Sequence, residues 1–433
     1  MRFGAAEVAS AVDGRLVGDD VALDGVATDS RGDVTGRLFV PLVAERDGHD
    51  FIATAIDNGA AAYLTSRLPA EDAPAIVVDD TLVALAAIGA LARTRLPERV
   101  VGVTGSVGKT SVKDLLAAAL ATTYETVASE RSFNNEIGVP LTLANAPDAT
   151  EAAVVEMGAR GVGHIAELCA VAHPTIGVVT AVGHVHTELF GTIDDVARGK
   201  GELVEALPPS GTAVLNADDE RVAAMRARTS ARVVTFGERG DVRASAVVLD
   251  EELRASFRLH SPWGDTEVRL AVRGYHQVAN ALAAASAALA CGVPVAAVGD
   301  GLARAALSPW RMDLRRTRSG ALVLNDAYNA NPISVAAALR SLAALPARRR
   351  VAVLGTMAEL GAVAVEEHRA LGLLAAELGI DVIAVDEPRY GATNVADIDA
   401  AASALGALGA GDAVLVKGSR VAGLERLAEA LAP

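Results

Sequence analysis

Aromatic residues are only 3% of this 433-residue chain, and cysteine occurs twice. Cys169 and Cys291 stand far apart and match no metal-ligand spacing, which argues against a disulfide scaffold or a cysteine metal site. They read as two buried, reduced thiols. Positive charge is also short: 39 Lys and Arg face 54 Asp and Glu, a formal net charge of -15. That balance argues against a general binder of nucleic acid or anionic membranes. A local phosphate site stays open, because backbone N–H groups and a few cations suffice to build one. No apolar signal core follows Met1-Arg2-Phe3-Gly4. The one very apolar stretch, 278–298, is mostly alanine and is interrupted by Asn280, Ser286, Gly292 and Pro294. It predicts a buried helix ending at Cys291-Gly292 rather than a membrane span, so a soluble, cytoplasmic protein is expected.

What is present describes a globular chain: 51% of residues are hydrophobic and 21% charged. The length suggests about three domains. Residues 1–98 alternate short β-like runs, at 37–40 and 75–78, with helical stretches. Pro97-Glu98 then precedes Val100-Val101-Gly102-Val103-Thr104, a compact apolar run of the kind buried in parallel sheets. Further runs at 153–156, 176–180 and 212–216 alternate with helical patterns, which predicts a doubly wound α/β unit. A helical block, 277–306, leads to a boundary near Arg311-Met312-Asp313. Runs at 321–324, 350–354, 381–385 and 413–416 predict a second α/β unit beyond it.

The strongest local signal is Thr104-Gly105-Ser106-Val107-Gly108-Lys109-Thr110-Ser111, between a strand and the helical pattern 112–120. Glycines let a backbone wrap phosphate oxygens without a Cβ clash, and the helix N-terminus adds N–H groups and a positive dipole end. Lys109 is placed to reach the outer phosphates, and the Thr110 hydroxyl suits a Mg²⁺ position. The usual first glycine is replaced by Val103, so the loop is a G-x-x-G-K-T variant. Downstream, Glu156 follows a strand end, His184 and His186 follow the next one, and Lys200 sits in Arg198-Gly199-Lys200-Gly201-Glu202. Singly, each has a plainer explanation: a surface Glu, a capping His, a solvated Lys. Together they can carry chemistry.

These segments, with 132–140 and His276 through Asn280, occur in the order found in the Mur ligase family, which the chain resembles over essentially its whole length. The resemblance implies three domains: a small α/β N-terminal unit for the uridine nucleotide (1–98), a central P-loop ATP-binding doubly wound unit (99–312) and a C-terminal Rossmann-like unit (313–433). Thr28-Asp29-Ser30-Arg31 and Asp47-Gly48-His49-Asp50-Phe51 resemble the uridine-binding segments. Asn325-Asp326-Ala327-Tyr328-Asn329-Ala330-Asn331-Pro332 resembles the segment of members that add D-alanyl-D-alanine. So do 354–361 with His368, and Val416-Lys417-Gly418-Ser419-Arg420.

The implied reaction is ATP-dependent ligation of D-alanyl-D-alanine to UDP-N-acetylmuramoyl-tripeptide through an acyl phosphate. By resemblance, residues 104–111 hold ATP, with Asn280, Arg311 and Asp326 closing on the nucleotide. Two Mg²⁺ ions are implied, held by Thr110, Glu156, His186 and a carbamylated Lys200. Lys109, Glu156, His186 and Lys200 form the implied catalytic set. Ser30, Arg31, Asp47 and His49 are the implied nucleotide-sugar contacts, Asn134 and Asn135 lie on the muramyl-peptide path, and Tyr328, Asn329 and Asn331 face the dipeptide. A monomer is expected. Ala181, Gln277 and the 44–47 loop depart from the family's usual pattern. A sister ligase with a different amine, and a nucleotide-dependent binding protein without ligase chemistry, are the competing readings.

Overall fold

A computed structural model describes residues 1–69, 71–130, 132–184 and 187–432, with backbone only at 187 and 189. The apolar run Val100–Thr104 lies inside a six-stranded, wholly parallel sheet, and every one of its residues is buried. The order across the sheet is 232–236, 212–216, 176–179, 100–104, 152–156 and 126–128. Successive side chains of a strand point to opposite faces. Val101 and Val103 therefore join a core beneath helices Lys109–Leu120 and Gln277–Ala290, while Ala153 and Val155 of the neighbouring strand join the core on the other face. That second core continues without a break into the N-terminal unit, through Leu85, Ile88 and Ala92 of helix Thr81–Arg95. Arg93 on this helix donates from Nε to the Ala172 carbonyl at 2.8 Å.

The predicted helical block is two helices, Gln277–Ala290 and Val295–Arg304, parted where Gly292 takes φ +91° and Pro294 caps the second. Alanines 281, 283, 284, 285, 287 and 288 are all buried, so the apolar stretch is explained by close helix packing on a sheet. Among the described residues no helix is long and apolar enough to cross a membrane. One element was not anticipated. Strands Arg243–Leu249, Arg254–Ser261 and Gly264–Arg273 form a three-stranded antiparallel sheet. Its signature is the alternation of Ala255, Phe257 and Leu259 (inward) with exposed Arg254, Ser256 and Arg258, a period of two.

Beyond Arg311, a second six-stranded sheet runs in the order 313–316, 322–325, 412–417, 349–354, 381–385 and 393–395, parallel except for its first pair. The N-terminal unit has a five-stranded mixed sheet built from residues 15–77. The passage between the second and third units is unusual. Trp310 (φ 59°) and Met312 (φ 51°) both take the left-handed backbone region, which costs a non-glycine residue about 1–2 kcal/mol each.

Candidate active site

In the central sheet, strand 100–104 has 176–179 on one side and 152–156 on the other, and the connections leave it in opposite directions. Loops beyond the carboxyl ends of such strands diverge and leave a crevice. Here that crevice opens into a cavity of about 1000 Å³ whose walls come from all three units.

One wall is the phosphate loop. The Ser106 N–H donates to the Ala181 carbonyl at 2.8 Å, the Gly183 N–H to Ser106 Oγ at 2.9 Å, and the Thr180 hydroxyl to the Val107 carbonyl at 2.5 Å. Gly108 caps the helix with φ +81°, and a Cβ there would sit 2.5 Å from Asn280 Oδ1. Only glycine fits. Lys109 Nζ donates to the Gly105 carbonyl at 2.8 Å. Burial lowers the pKa of its ammonium; Glu156 opposes this and Arg311 adds to it.

Glu156 closes the strand Ala152–Glu156 and is 1% exposed. Its Oε1 accepts from Asn134 Nδ2 at 2.7 Å, whereas Oε2 is buried and has no hydrogen-bond partner among the described residues. A carboxylate oxygen left so in a cavity is a poised cation ligand. The Thr110 hydroxyl lines the same cavity, so the donors offered are oxygens, which suits Mg²⁺. Lys200 projects from helix Ile193–Glu205 and is 1% exposed. Among the described residues its ammonium has no hydrogen bond or ion pair, and the Phe190 ring lies 5.9 Å away. Burial, with Lys109 adding repulsion, pushes its pKa well below that of an ordinary lysine. The side chain is therefore held in conditions that favour the neutral amine.

The opposite wall comes from the linker and the third unit. Arg311 donates to Thr110 Oγ1 at 2.9 Å and stacks over the Tyr328 ring at 4.2 Å. The Tyr328 hydroxyl is hydrogen-bonded to Ser132. Asp326 Oδ2 accepts from Lys417 Nζ at 2.6 Å, and the same ammonium donates to the Asn329 carbonyl at 2.8 Å. His276 faces this pair: burial lowers its pKa, Asp326 opposes and Lys417 adds. Asn331 caps helix Pro332–Ala344 through the Ser334 N–H.

The cavity thus gathers Ser106 to Ser111, Glu156, Lys200, Asn280, Arg311, Asp326, Asn134, Asn135, Tyr328, Asn329 and Asn331. Thr104 and Gly105 lie behind it, buried, with the Thr104 hydroxyl donating to the Met157 carbonyl at 2.8 Å. His186 lies outside the described residues. The N-terminal candidates do not line this cavity. Asp47 Oδ1 accepts from His49 Nδ1 at 2.7 Å, Ser30 is buried, and Arg31 is tied to Asp29 by a fork of 2.9 and 2.8 Å. That fork, with the Arg31 N–H, holds the Asp29 pKa down to about 2. Thr28, from the same motif, is the N-terminal residue that reaches the cavity wall. Lys417 belongs to the 416–420 motif, and the resemblance assigns it no role; its rarity is the signal in the sequence, since lysine occurs only at 109, 113, 200 and 417.

Residues 103–288 match the Mur ligase middle domain, and 310–420 match the Mur ligase, glutamate ligase domain. The chain belongs to the Mur ligase family. It is 42% identical to the UDP-N-acetylmuramoyl-tripeptide–D-alanyl-D-alanine ligase of Mycobacterium tuberculosis, over 94% of this chain and 91% of that protein. Crystal structure I of MurF from Acinetobacter baumannii superposes with a TM-score of 0.91 at 31% identity, covering 100% of this chain and 99% of that one. MurF ligase from Thermotoga maritima in complex with ADP gives 0.83 at 28% identity, covering 94% and 96%. Two of this Mur ligase's departures have a visible accommodation. Ala181 serves the phosphate loop through its carbonyl, so its side chain is not needed there. Gln277 accepts from Asn280 Nδ2 at 2.9 Å and so orients the residue packed on Gly108.

Proposed function

We propose that this Mur ligase joins D-alanyl-D-alanine to UDP-N-acetylmuramoyl-tripeptide with ATP, giving the UDP-linked pentapeptide, ADP and phosphate. The observation that carries the reading is a single cavity shared by the phosphate loop, Glu156 and Lys200, and the Asp326–Asn331 segment. Residues 1–98 are assigned to the uridine nucleotide, 99–312 to ATP and 313–433 to the dipeptide. A monomeric, cytoplasmic enzyme is the simplest form of this reading.

An amide does not form from a free carboxylate at useful rates, so the tripeptide's terminal carboxylate first attacks the γ-phosphorus of ATP, displacing ADP and giving an acyl phosphate. The dipeptide amine then attacks the acyl carbon, gives up a proton, and phosphate leaves with the C–O bond's electrons. Such chemistry asks the protein for position and charge neutralisation more than for a nucleophile. Lys109 and the backbone N–H groups at the helix start hold the phosphates. Asn134 fixes the Glu156 carboxylate, and Arg311 bridges from Thr110 to the third unit. Bound Mg²⁺ would neutralise phosphate charge from Thr110, Glu156 and His186. Lys200 is proposed to react as its neutral amine with CO₂, and the resulting carbamate anion suits a site carrying Mg²⁺. Asp326, Asn329 and the Lys417 ammonium are assigned to the far side, where the dipeptide enters. Holding three reactants in line can contribute on the order of 7–11 kcal/mol to lowering the barrier.

The test is phosphate release from ATP with UDP-N-acetylmuramoyl-tripeptide, comparing D-alanyl-D-alanine with single amino acids. Release that requires the dipeptide supports the reading; release indifferent to it overturns the assignment.

A further inference from the structure

His368 lies outside the cavity, fully buried on helix Ala364–Glu377. Its ring is used at both nitrogens. Nδ1 faces the Ala364 carbonyl at 2.6 Å and must carry the proton, while Nε2 accepts the Met357 N–H at 3.0 Å. Tyr390 also meets the ring edge-on at 4.9 Å; the buried Glu387 carboxylate lies 3.3 Å from Nε2, which in this tautomer offers it no proton. Glu387 is itself gripped by Arg389 at 2.6 and 2.5 Å.

The loop that His368 holds, 355–361, touches two places of consequence. The Ala358 N–H donates to Ser419 Oγ at 2.9 Å, and Ser419 Oγ donates on to the Ala330 carbonyl at 3.4 Å. Ala330 lies between Asn329 and Asn331, both of which line the cavity. At its far end the Glu359 carbonyl accepts the Glu188 N–H at 3.4 Å, which joins the third unit to the central one. Glu359 takes φ 63° to make this approach, a conformation that only firm anchoring on either side maintains.

We infer that His368 is a positioning residue: it pins the 355–361 loop, which through Ser419 sets the Asn329–Asn331 wall and through Glu359 docks the third unit on the central one. The substrate assigned to that wall, the dipeptide, rests on the function proposed above. A cavity wall set this way bears first on the substrate that lies on it, and on the phosphate loop only through the docking of the third unit.

Three variants test it: His368→Leu, which removes both hydrogen bonds; His368→Gln, which can restore an acceptor for Met357; and Ser419→Ala, which cuts the link to Ala330. For His368→Leu, KM for D-alanyl-D-alanine should rise about tenfold or more while KM for ATP and the UDP-tripeptide stays within about twofold. His368→Gln should recover most of that loss, and Ser419→Ala should shift the same constant in the same direction. Amide exchange at Met357 and Ala358 should accelerate in His368→Leu. All three KM values moving together, with Gln no better than Leu, would reduce His368 to a general core residue and overturn the inference. Should His368→Leu fail to fold, an unchanged dipeptide KM in Ser419→Ala overturns it equally. Wild-type turnover that ignores the dipeptide would sink the functional reading instead, and unaltered exchange at Met357 would then decide against the loop on its own.

Discussion

Lysine stands at four positions in this chain, and arginine supplies the rest of its 39 basic residues. An arginine stays charged wherever it is put, whereas a buried lysine shifts its pKa readily and presents a compact charge. Lys109, Lys200 and Lys417 line the cavity, and Lys113, one turn past the loop, is buried with its Nζ on the Ser129 carbonyl at 2.8 Å. Lys109 and Lys200 were legible because each sits in a motif. Lys417 also sits in a motif, but its role was not legible, because its partner Asp326 is 91 residues away and only the sheet joins them. Lys109→Ala is expected to lower kcat by about 10²–10³, the loss typical of one preorganised charge contact, with the melting temperature near wild type. Lys200→Arg is the sharper variant. If the neutral amine matters, arginine should be no more active than alanine at this position; a substantially active arginine enzyme would show that positive charge suffices. The cysteines make the opposite case, since burial pushes both thiols up to about 12. Native protein should therefore resist thiol reagents at pH 8. A thiol whose folded pKa is raised adds stability that is complete below its unfolded value and fades as pH climbs toward the folded one. Stability measured by denaturant should accordingly fall between about pH 9 and 12, and a double Cys→Ala variant should lose part of that slope.

At the scale of elements, what was legible followed from periodicity and composition. Valine-rich runs became buried parallel strands because both of their faces are covered, and 100–104, 212–216 and 381–385 were found to the residue. The antiparallel sheet at 243–273 was less legible because its second and third strands alternate apolar with polar or charged residues instead of forming an apolar run. The split between 290 and 295 was written in Gly292 and Pro294, the same residues that spoke against a membrane span. Which loops would meet was not legible at all, because the crevice depends on strand order, and order is not a local property. The element most exposed to a single change is the phosphate loop. Gly108→Ala would force a left-handed alanine against Asn280 Oδ1, costing about 1–2 kcal/mol of stability from the backbone alone. Both the melting temperature and ATP affinity should fall, and Asn280→Ala on that background should return part of the affinity by making room. Failure of that second change to help would mean that backbone strain, not the contact, dominates.

For the whole molecule, the junction at 310–312 decides how the third unit meets the other two. Trp310 and Met312 are held in strained backbone on either side of Arg311, and each has a compensation in place. Trp310 lies under the Arg420 guanidinium at 4.3 Å and donates from Nε1 to Glu429 at 3.1 Å; Met312 is buried, and its N–H donates to Asp326 at 3.1 Å. Strain that is outweighed in one arrangement is released in another, so this linker suits a hinge with a preferred closed position. Arg311, which contacts both Thr110 and Tyr328, is proposed as the latch of that hinge. Arg311→Lys keeps the charge but loses the planar stack, and Tyr328→Phe keeps the stack but loses the bond to Ser132. The lysine variant should therefore lower kcat/KM for ATP more than the phenylalanine variant does, by about tenfold, the order of the planar stack it loses. The chain has two tryptophans, so a Trp263→Phe background leaves Trp310 as the sole reporter of the junction. Its emission should respond to ATP in that background and respond weakly once Arg311 is lysine. A Trp310 signal that tracks ATP equally well in both would place the latch elsewhere in the interface, and the hinge would have to be sought in the Glu188–Glu359 contact instead.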